Sequence, residues 1–309
     1  MACSELMGAQ DTPIRFTLGS RHLLSVPRRL VLLAFSLDDV LAERMPEPGE
    51  IEGADGRRVI SAPLSMENAI AARFAGSVMG GRQVYRRYYI DMRGSYEDYL
   101  ARFSGKTRST LRRKERKLAD HAGGTLEISE HRTPAEIETF LAEALPLSAL
   151  TYQARLLGAG LPDDPASRAA MLERAEQGLL RCYLLRAQGK AIAYLALPVE
   201  GGTLVYAYLG YHPDWARYSP GTVLQLLALE HLFAERRFRW FDFTEGEGAH
   251  KELFGTGSVE CASFLLLKDH VSNRLLLGSL AAFDSSVAAA RALAEKSGAL
   301  ARARKLLRS

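Results

Sequence analysis

The chain reads as an α/β protein built on a mixed sheet, and three features of its pattern lead there. A strand, TLEISEH, is followed by two helices and then by three consecutive strands in LLRCYLLRAQGKAIAYLALPVEGGTLVYAYLGYHP. One strongly apolar helix, YSPGTVLQLLALEHLFAERR, separates the last of these strands from RWFDFTEG. A single crossover helix makes the strands on either side of it parallel neighbours, whereas the short meander turns make theirs antiparallel.

Taken in order, residues 1–100 form an N-terminal portion. RLVLLAFSL reads as a buried strand, and SMENAIAARFAGSVMG has helical spacing before a Gly-Gly stop. VYRRYYIDM alternates weakly and is rich in aromatics, which favours a strand. GSYEDYLARFSG opens a helix, with Ser95 as cap and Glu97 and Asp98 in the first turn. A basic connecting helix over 101–123 follows. Phe103, Thr107, Leu111 and Leu118 share one side of it, Arg108, Arg112 and Arg116 line another, and Gly123-Gly124 ends it.

The regular part runs over 124–268. TPAEIETFLAEALPL is a helix with Thr133 as cap and Pro134 at its first position, and ASRAAMLERAEQG is a second, closed by Gly178. Gln188-Gly189 and Glu200-Gly201-Gly202 turn the three strands into consecutive hairpins. After the crossover helix and the FDF strand come a short helix, HKELFG, and a last strand, VECASFLLLK. Residues 269–309 read as helix with a basic end, ARARKLLRS.

Composition narrows the class. At 309 residues, with 47% apolar and 25% charged, the chain is an ordinary globular protein of one large or two medium domains. Its net charge is +4, yet residues 102–118 hold eight Lys or Arg against Glu115 alone, so the remainder is slightly acidic. The positive charge is therefore local and suggests one site. Cys3, Cys182 and Cys261 are far apart and odd in number, with no zinc spacing and no disulfide framework, which fits a reducing cytoplasm and no metal. Cys182 and Cys261 lie in apolar runs and read as small buried hydrophobes. MACSELMGAQD has neither a basic leader nor an apolar core, so a secretory signal is not expected, and LLLGSLAAF is far short of the ~20 residues of a membrane span.

The ordered fragments SYEDYLARFSGKTRSTLRRKERKL, GKAIAYLAL, YHPDWARYSPGTVLQLLALEHLF, FDFTEG and HKELFG resemble the GNAT acyltransferase superfamily. Within it they are most similar to the CelD-like polysaccharide-biosynthesis branch and the related Fem-type peptidyltransferases. The resemblance covers residues 91–268. It implies a GNAT-like fold over 124–268, an N-terminal portion that is a degenerate GNAT-like half or an unrelated cap, and acetyl-CoA or another acyl-CoA as co-substrate. It further implies that the strands at 205–211 and 240–244 splay into a V-shaped slot, whose free edge bonds a pantetheine arm like an added strand.

On that resemblance RYSPGT is the pyrophosphate loop. Ser219 and free amides at Gly221, Thr222 and Val223 would meet an anion at the positive end of the helix, with Arg217 adding a charge and Tyr208 lining the slot. The usual second Gly or Ala of the loop is replaced here by Thr222 or Val223. Ser219-Pro220 also fits the plain capping of a core helix. Acyl transfer needs a base, an oxyanion donor and a proton for the leaving thiolate. Asp242 and Glu245, at the end of the FDF strand, are the candidate carboxylates, and Glu245 at the strand mouth is the better-placed base. His250-Lys251 stands where relatives carry a YK-like pair. Lys251 would meet an anionic acceptor or the developing oxyanion, and His250 takes the aromatic position and can serve as acid or base.

Three readings of the basic helix compete. A nucleic-acid helix normally brings a second element to set its register, and none is visible. A membrane-surface helix wants a wider apolar face. A clamp suits arginine forks, which match phosphate and carboxylate bidentately, so Arg108, Arg112 and Arg113 are expected to hold an anionic acceptor or CoA phosphates. The expected activity is transfer of an acyl group from acyl-CoA to an amine or hydroxyl on a sugar-nucleotide, lipid-linked sugar or polysaccharide precursor of the bacterial envelope. The alternatives are a Fem-type transferase using aminoacyl-tRNA, or a non-catalytic GNAT-like module in a polysaccharide assembly complex. In the second case the tail at 302–308 would touch anionic lipid at the inner face of the membrane.

Overall fold

A computed structural model describes residues 9–18, 21–49, 52–151 and 160–296. Cys3 and the basic tail at 302–308 lie outside them. In chain order the elements are β1 (Gln10–Asp11), β2 (Ile14–Leu18), β3 (Arg21–Val26), β4 (Arg29–Ala34), α1 (Leu37–Leu41), β5 (Gly56–Pro63), α2 (Glu67–Arg73), β6 (Ser77–Asp91), α3 (Tyr96–Ala101) and α4 (Gly105–His121). They continue as β7 (Glu127–His131), α5 (Pro134–Ala149), α6 (Pro165–Glu176), β8 (Leu180–Ala187), β9 (Lys190–Glu200), β10 (Thr203–Val205), β11 (Tyr208–Tyr211) and α7 (Pro220–Ala234). The last are β12 (Trp240–Asp242), α8 (Ala249–Phe254), β13 (Gly257–Lys268) and α9 (Val271–Lys296).

The chain divides into two compact units, residues 1–86 with 259–309, and residues 87–258. The sequence reading placed its boundaries at 100, 123 and 268. The compact units differ because β13 pairs antiparallel with β5 from Cys261↔Pro63 to Leu267↔Gly56, which returns the last strand to the N-terminal unit. The end of β6 pairs instead with β12, from Asp91↔Trp240 to Tyr89↔Asp242, so it belongs with the second unit.

In the first unit β4 lies antiparallel to β1 and parallel to β5. A separate hairpin joins β2 and β3. One core gathers Leu33, Val59, Ile70, Cys261 and Phe264, and another gathers Ile14, Phe16, Leu30, Leu277 and Leu280.

The second unit is a mixed sheet in the order β6–β12–β10–β9–β8–β7. The crossover expected from the sequence is present: β10 and β12 are parallel, with α7 between them in the chain. Alternation explains how the sheet holds helices on both faces. Tyr183, Leu185 and Ala187 of β8 enter one core with α7, while Leu180, Cys182 and Leu184 enter the other with α5 and α6. Leu224, Ala228, Leu229 and Leu232 of α7 are all at most 1% exposed, as expected of a helix apolar on nearly every side.

Local signals set the helix ends. Ser95 and Asp98 form a reciprocal capping box on α3, and Thr133 and Glu136 form another on α5 ahead of Pro134. Ser104 accepts from the Thr107 amide and starts α4 afresh, so Phe103 stands before that helix rather than on its stripe. Among the described residues no helix is long and apolar enough to cross a membrane.

Candidate functional site

The site starts where two paired strands part. β10 and β12 run in register through Val205↔Asp242, and the Tyr206 amide adds one more bond to the Asp242 carbonyl at 2.9 Å. Ala207 N–H then turns back onto the Val205 carbonyl, and β11 continues paired with β9 from Tyr208↔Ala196 to Tyr211↔Ala193. On the other strand the Phe243 amide bonds the Tyr88 carbonyl, away from β11. Thr244 takes a left-handed φ of 61° and ends the strand. Gly210 is required at this spot: a Cβ there would sit 2.4 Å from the Tyr194 ring.

A 3-10 turn over Pro213–Tyr218 leads from β11 to the N-terminus of α7. Ser219 occupies the cap position in the left-handed region, φ 58° and ψ 47°, and its hydroxyl does not cap the helix. Three free amides were expected here. Those of Thr222 and Val223 both bond the Ser219 carbonyl, at 3.1 and 3.2 Å, because the carbonyl of the cap residue accepts the first bonds of the helix. The Gly221 amide keeps no acceptor among the described residues. A Cβ on Gly221 would come within 2.9 Å of Leu209 and 3.2 Å of Tyr211, so the glycine lets α7 close onto β11. Tyr208 is half-buried in β11.

Beside the loop stands a cationic aromatic group. The Tyr218 ring stacks on His121 of α4 at 4.0 Å, with Trp215 edge-on to His121 at 5.0 Å. Arg217 lies 4.7 Å and Lys117 5.5 Å from the centre of the Tyr218 ring. Arg217 and a lysine from the basic helix thus stand beside the loop.

The candidate carboxylates occupy different surroundings. Asp242 is 2% exposed and accepts both prongs of Arg87, together with the Thr244 amide at 2.8 Å. Glu245 is exposed on the turn after β12, and its backbone carbonyl accepts from Lys251 Nζ at 2.5 Å. Burial lowers the pKa of Lys251, against the carboxylates of Asp242 and Glu245, which raise it.

His250, on the first turn of α8, packs among the rings of Phe254, Tyr206 and Phe243. Its Nε2 meets Gln225 Oε1 of α7 at 2.5 Å. Burial first, then the charges of Lys114 and Lys251, push its pKa down to about 4. Tyr206 carries the phenol of this pocket, and burial raises its pKa.

Of the three expected clamp arginines, Arg108 is engaged elsewhere: its Nη1 caps α3 by donating to the carbonyls of Ala101 and Phe103. Arg112 and Arg113 are exposed on the outer face of α4. The cation that reaches His250 is Lys114, which the sequence reading passed over. It sits three residues after buried Leu111 and four before buried Leu118, on the inward stripe, and that spacing was the signal for it. Gln225, Arg87 and Tyr206 were also missed. A polar residue amid VLQLLAL was the only sequence cue to Gln225, and none marked the other two.

Residues 105–252 match the family model of the acetyltransferase (GNAT) domain. Among solved structures the chain is similar to FemX, at 11% identity over 85% of this chain and 90% of that one, with a TM-score of 0.53. It is also similar to L-PGS from Bacillus licheniformis, at 15% identity over 73% of this chain and 72% of that one, with a TM-score of 0.46. No curated protein matches the sequence. The fold is GNAT-like, and residues 105–252 carry the match to the acetyltransferase domain.

Proposed function

We propose that the protein transfers an acyl group from acetyl-CoA or another acyl-CoA to a hydroxyl or amine on an anionic sugar-based precursor of the bacterial envelope or exopolysaccharide. The observation that carries this reading is the parting of β10–β11 from β12 immediately ahead of the unengaged Gly221 amide. An open strand edge suits an extended pantetheine arm, and a helix N-terminus flanked by Arg217 and Lys117 suits its diphosphate. Lys114 and Lys251 around His250 favour an acceptor that brings negative charge and oppose a cationic one. In this reading Glu245 and His250 handle protons, Lys251 faces the acceptor or the oxyanion, and Asp242 holds Arg87 at the strand end. Ser219, Thr222 and Val223 shape the loop that presents Gly221, and Tyr208 lines the slot.

Calorimetry with acetyl-CoA tests the donor. Binding that Gly221→Glu abolishes supports the reading, and a flat trace with a series of acyl-CoAs overturns it. Mass spectrometry of surface polysaccharide from cells with and without the gene tests the acceptor, the expected result being one missing acyl group.

A second reading takes aminoacyl-tRNA as donor, favoured by the exposed cations Arg112, Arg113 and Arg116 on the outer face of α4. Charged tRNA would then be retained at low salt without CoA affinity, and affinity would fall steeply as salt rises.

A further inference from the structure

We propose that His250 accepts the proton of the attacking group through Nδ1, and that Gln225 is the positioning residue that reserves that nitrogen for it. The inference rests on the acyl-transfer reading above and adds to it the identity of the base and its tautomer.

Gln225 sits on α7 at 0% exposure, with Oε1 against His250 Nε2 at 2.5 Å. An amide oxygen has no proton to give, so Nε2 carries the hydrogen. The neutral ring then has its lone pair on Nδ1. Each charged group acting on the ring among the described residues is a cation, Lys114 from α4 and Lys251 from α8, and the neighbours just after β12, from α8 and from the β10–β11 link are the uncharged rings of Phe243, Phe254 and Tyr206. With no carboxylate beside it among the described residues, the imidazole stays neutral in the resting protein.

A second observation comes from Gln225 itself. Its Nε2 is buried with no hydrogen-bond partner among the described residues. Leaving such a group unpaired is unfavourable, a cost that a leucine would avoid. Local costs of this kind concentrate at functional sites.

The step balances without further reagents. The acceptor oxygen or nitrogen bonds to the thioester carbon while its proton passes to His250 Nδ1. Collapse of the tetrahedral intermediate breaks the C–S bond, and the imidazolium returns the proton to the departing thiolate. An acceptor anion near Lys114 and Lys251 offsets their charge and makes the ring a better base at the moment it is needed.

The test is long-range proton–nitrogen NMR on the full chain labelled at histidine, with the His250 signal identified by its loss in His250→Ala. Wild type should show the Nε2–H tautomer at neutral pH. Gln225→Leu should yield a tautomer mixture and a roughly hundredfold slower transfer. Gln225→Glu, which keeps an oxygen acceptor, should retain the Nε2–H tautomer and move the acid limb of the pH–rate profile upward by a unit or more. An Nδ1–H tautomer in wild type, a tautomer unchanged by Gln225→Leu, or an acid limb unmoved by Gln225→Glu overturns the proposal. Absence of transfer with every acyl-CoA, alongside the expected tautomer, removes the acyl-transfer reading and the proton-accepting role while the Gln225–His250 pairing stands.

Discussion

Arg87 and Asp242 meet in a two-pronged ion pair, Nε to Oδ1 at 3.1 Å and Nη2 to Oδ2 at 2.5 Å, with the two side chains 8% and 3% exposed. The pair locks the end of β6 to the last residue of β12, where β12 parts from the strand that continues as β11. Removing one partner leaves a buried charge alone, so Arg87→Met or Asp242→Leu should each destabilise the protein by about 3–5 kcal/mol in urea unfolding. The double replacement should recover much of that loss. A loss in the double variant equal to the sum of the two single losses would mean the charges contribute nothing as a pair.

His250 ties stability to pH. Its pKa is about 4 in the fold against an ordinary 6.5, so the unfolded chain takes up this proton first as pH falls. The neutral ring's contribution is present above pH 6.5 and is lost on descent towards pH 4, amounting to at most about 3 kcal/mol. Denaturation midpoints of wild type and His250→Phe should diverge across that window. Parallel curves would show that the ring titrates normally.

Lys114 and Lys251 depress that pKa by charge, after burial. Lys114→Met and Lys251→Met should each raise it towards 6.5, read as the NMR titration midpoint of His250. Arg108→Met should leave the midpoint in place, because that guanidinium is engaged with α3.

Gly221 serves packing as well as binding. A methyl group there collides with Leu209 and Tyr211, so Gly221→Ala should cost about 1–3 kcal/mol of stability. Thermal unfolding of Gly221→Ala separates this effect from loss of acetyl-CoA affinity, which calorimetry measures on the same variant.

The fold was largely legible because its signals are local. Short apolar runs marked β8 and β9, Gly-containing turns fixed their pairing, and Thr133-Pro134 announced α5. What escaped was decided over long separations. Asp242 reads as a strand-end acid until Arg87, 155 residues earlier in the chain, is known to face it. Gln225 and His250 lie 25 residues apart on two helices, and nothing in either helix announces the other. Lys114 was hidden differently: amid seven other cations its inward position is visible only when the helix is drawn as a wheel.

The two described cysteines fall one to each compact unit, Cys182 in the second and Cys261 in the first, both at 0% exposure. Burial also holds the Cys182 thiol far above its usual pKa, so neither sulfur should react while its unit stays closed. In a Cys3→Ser background, the rates at which an alkylating reagent modifies the two sulfurs become independent clocks for the breathing of each half of the molecule.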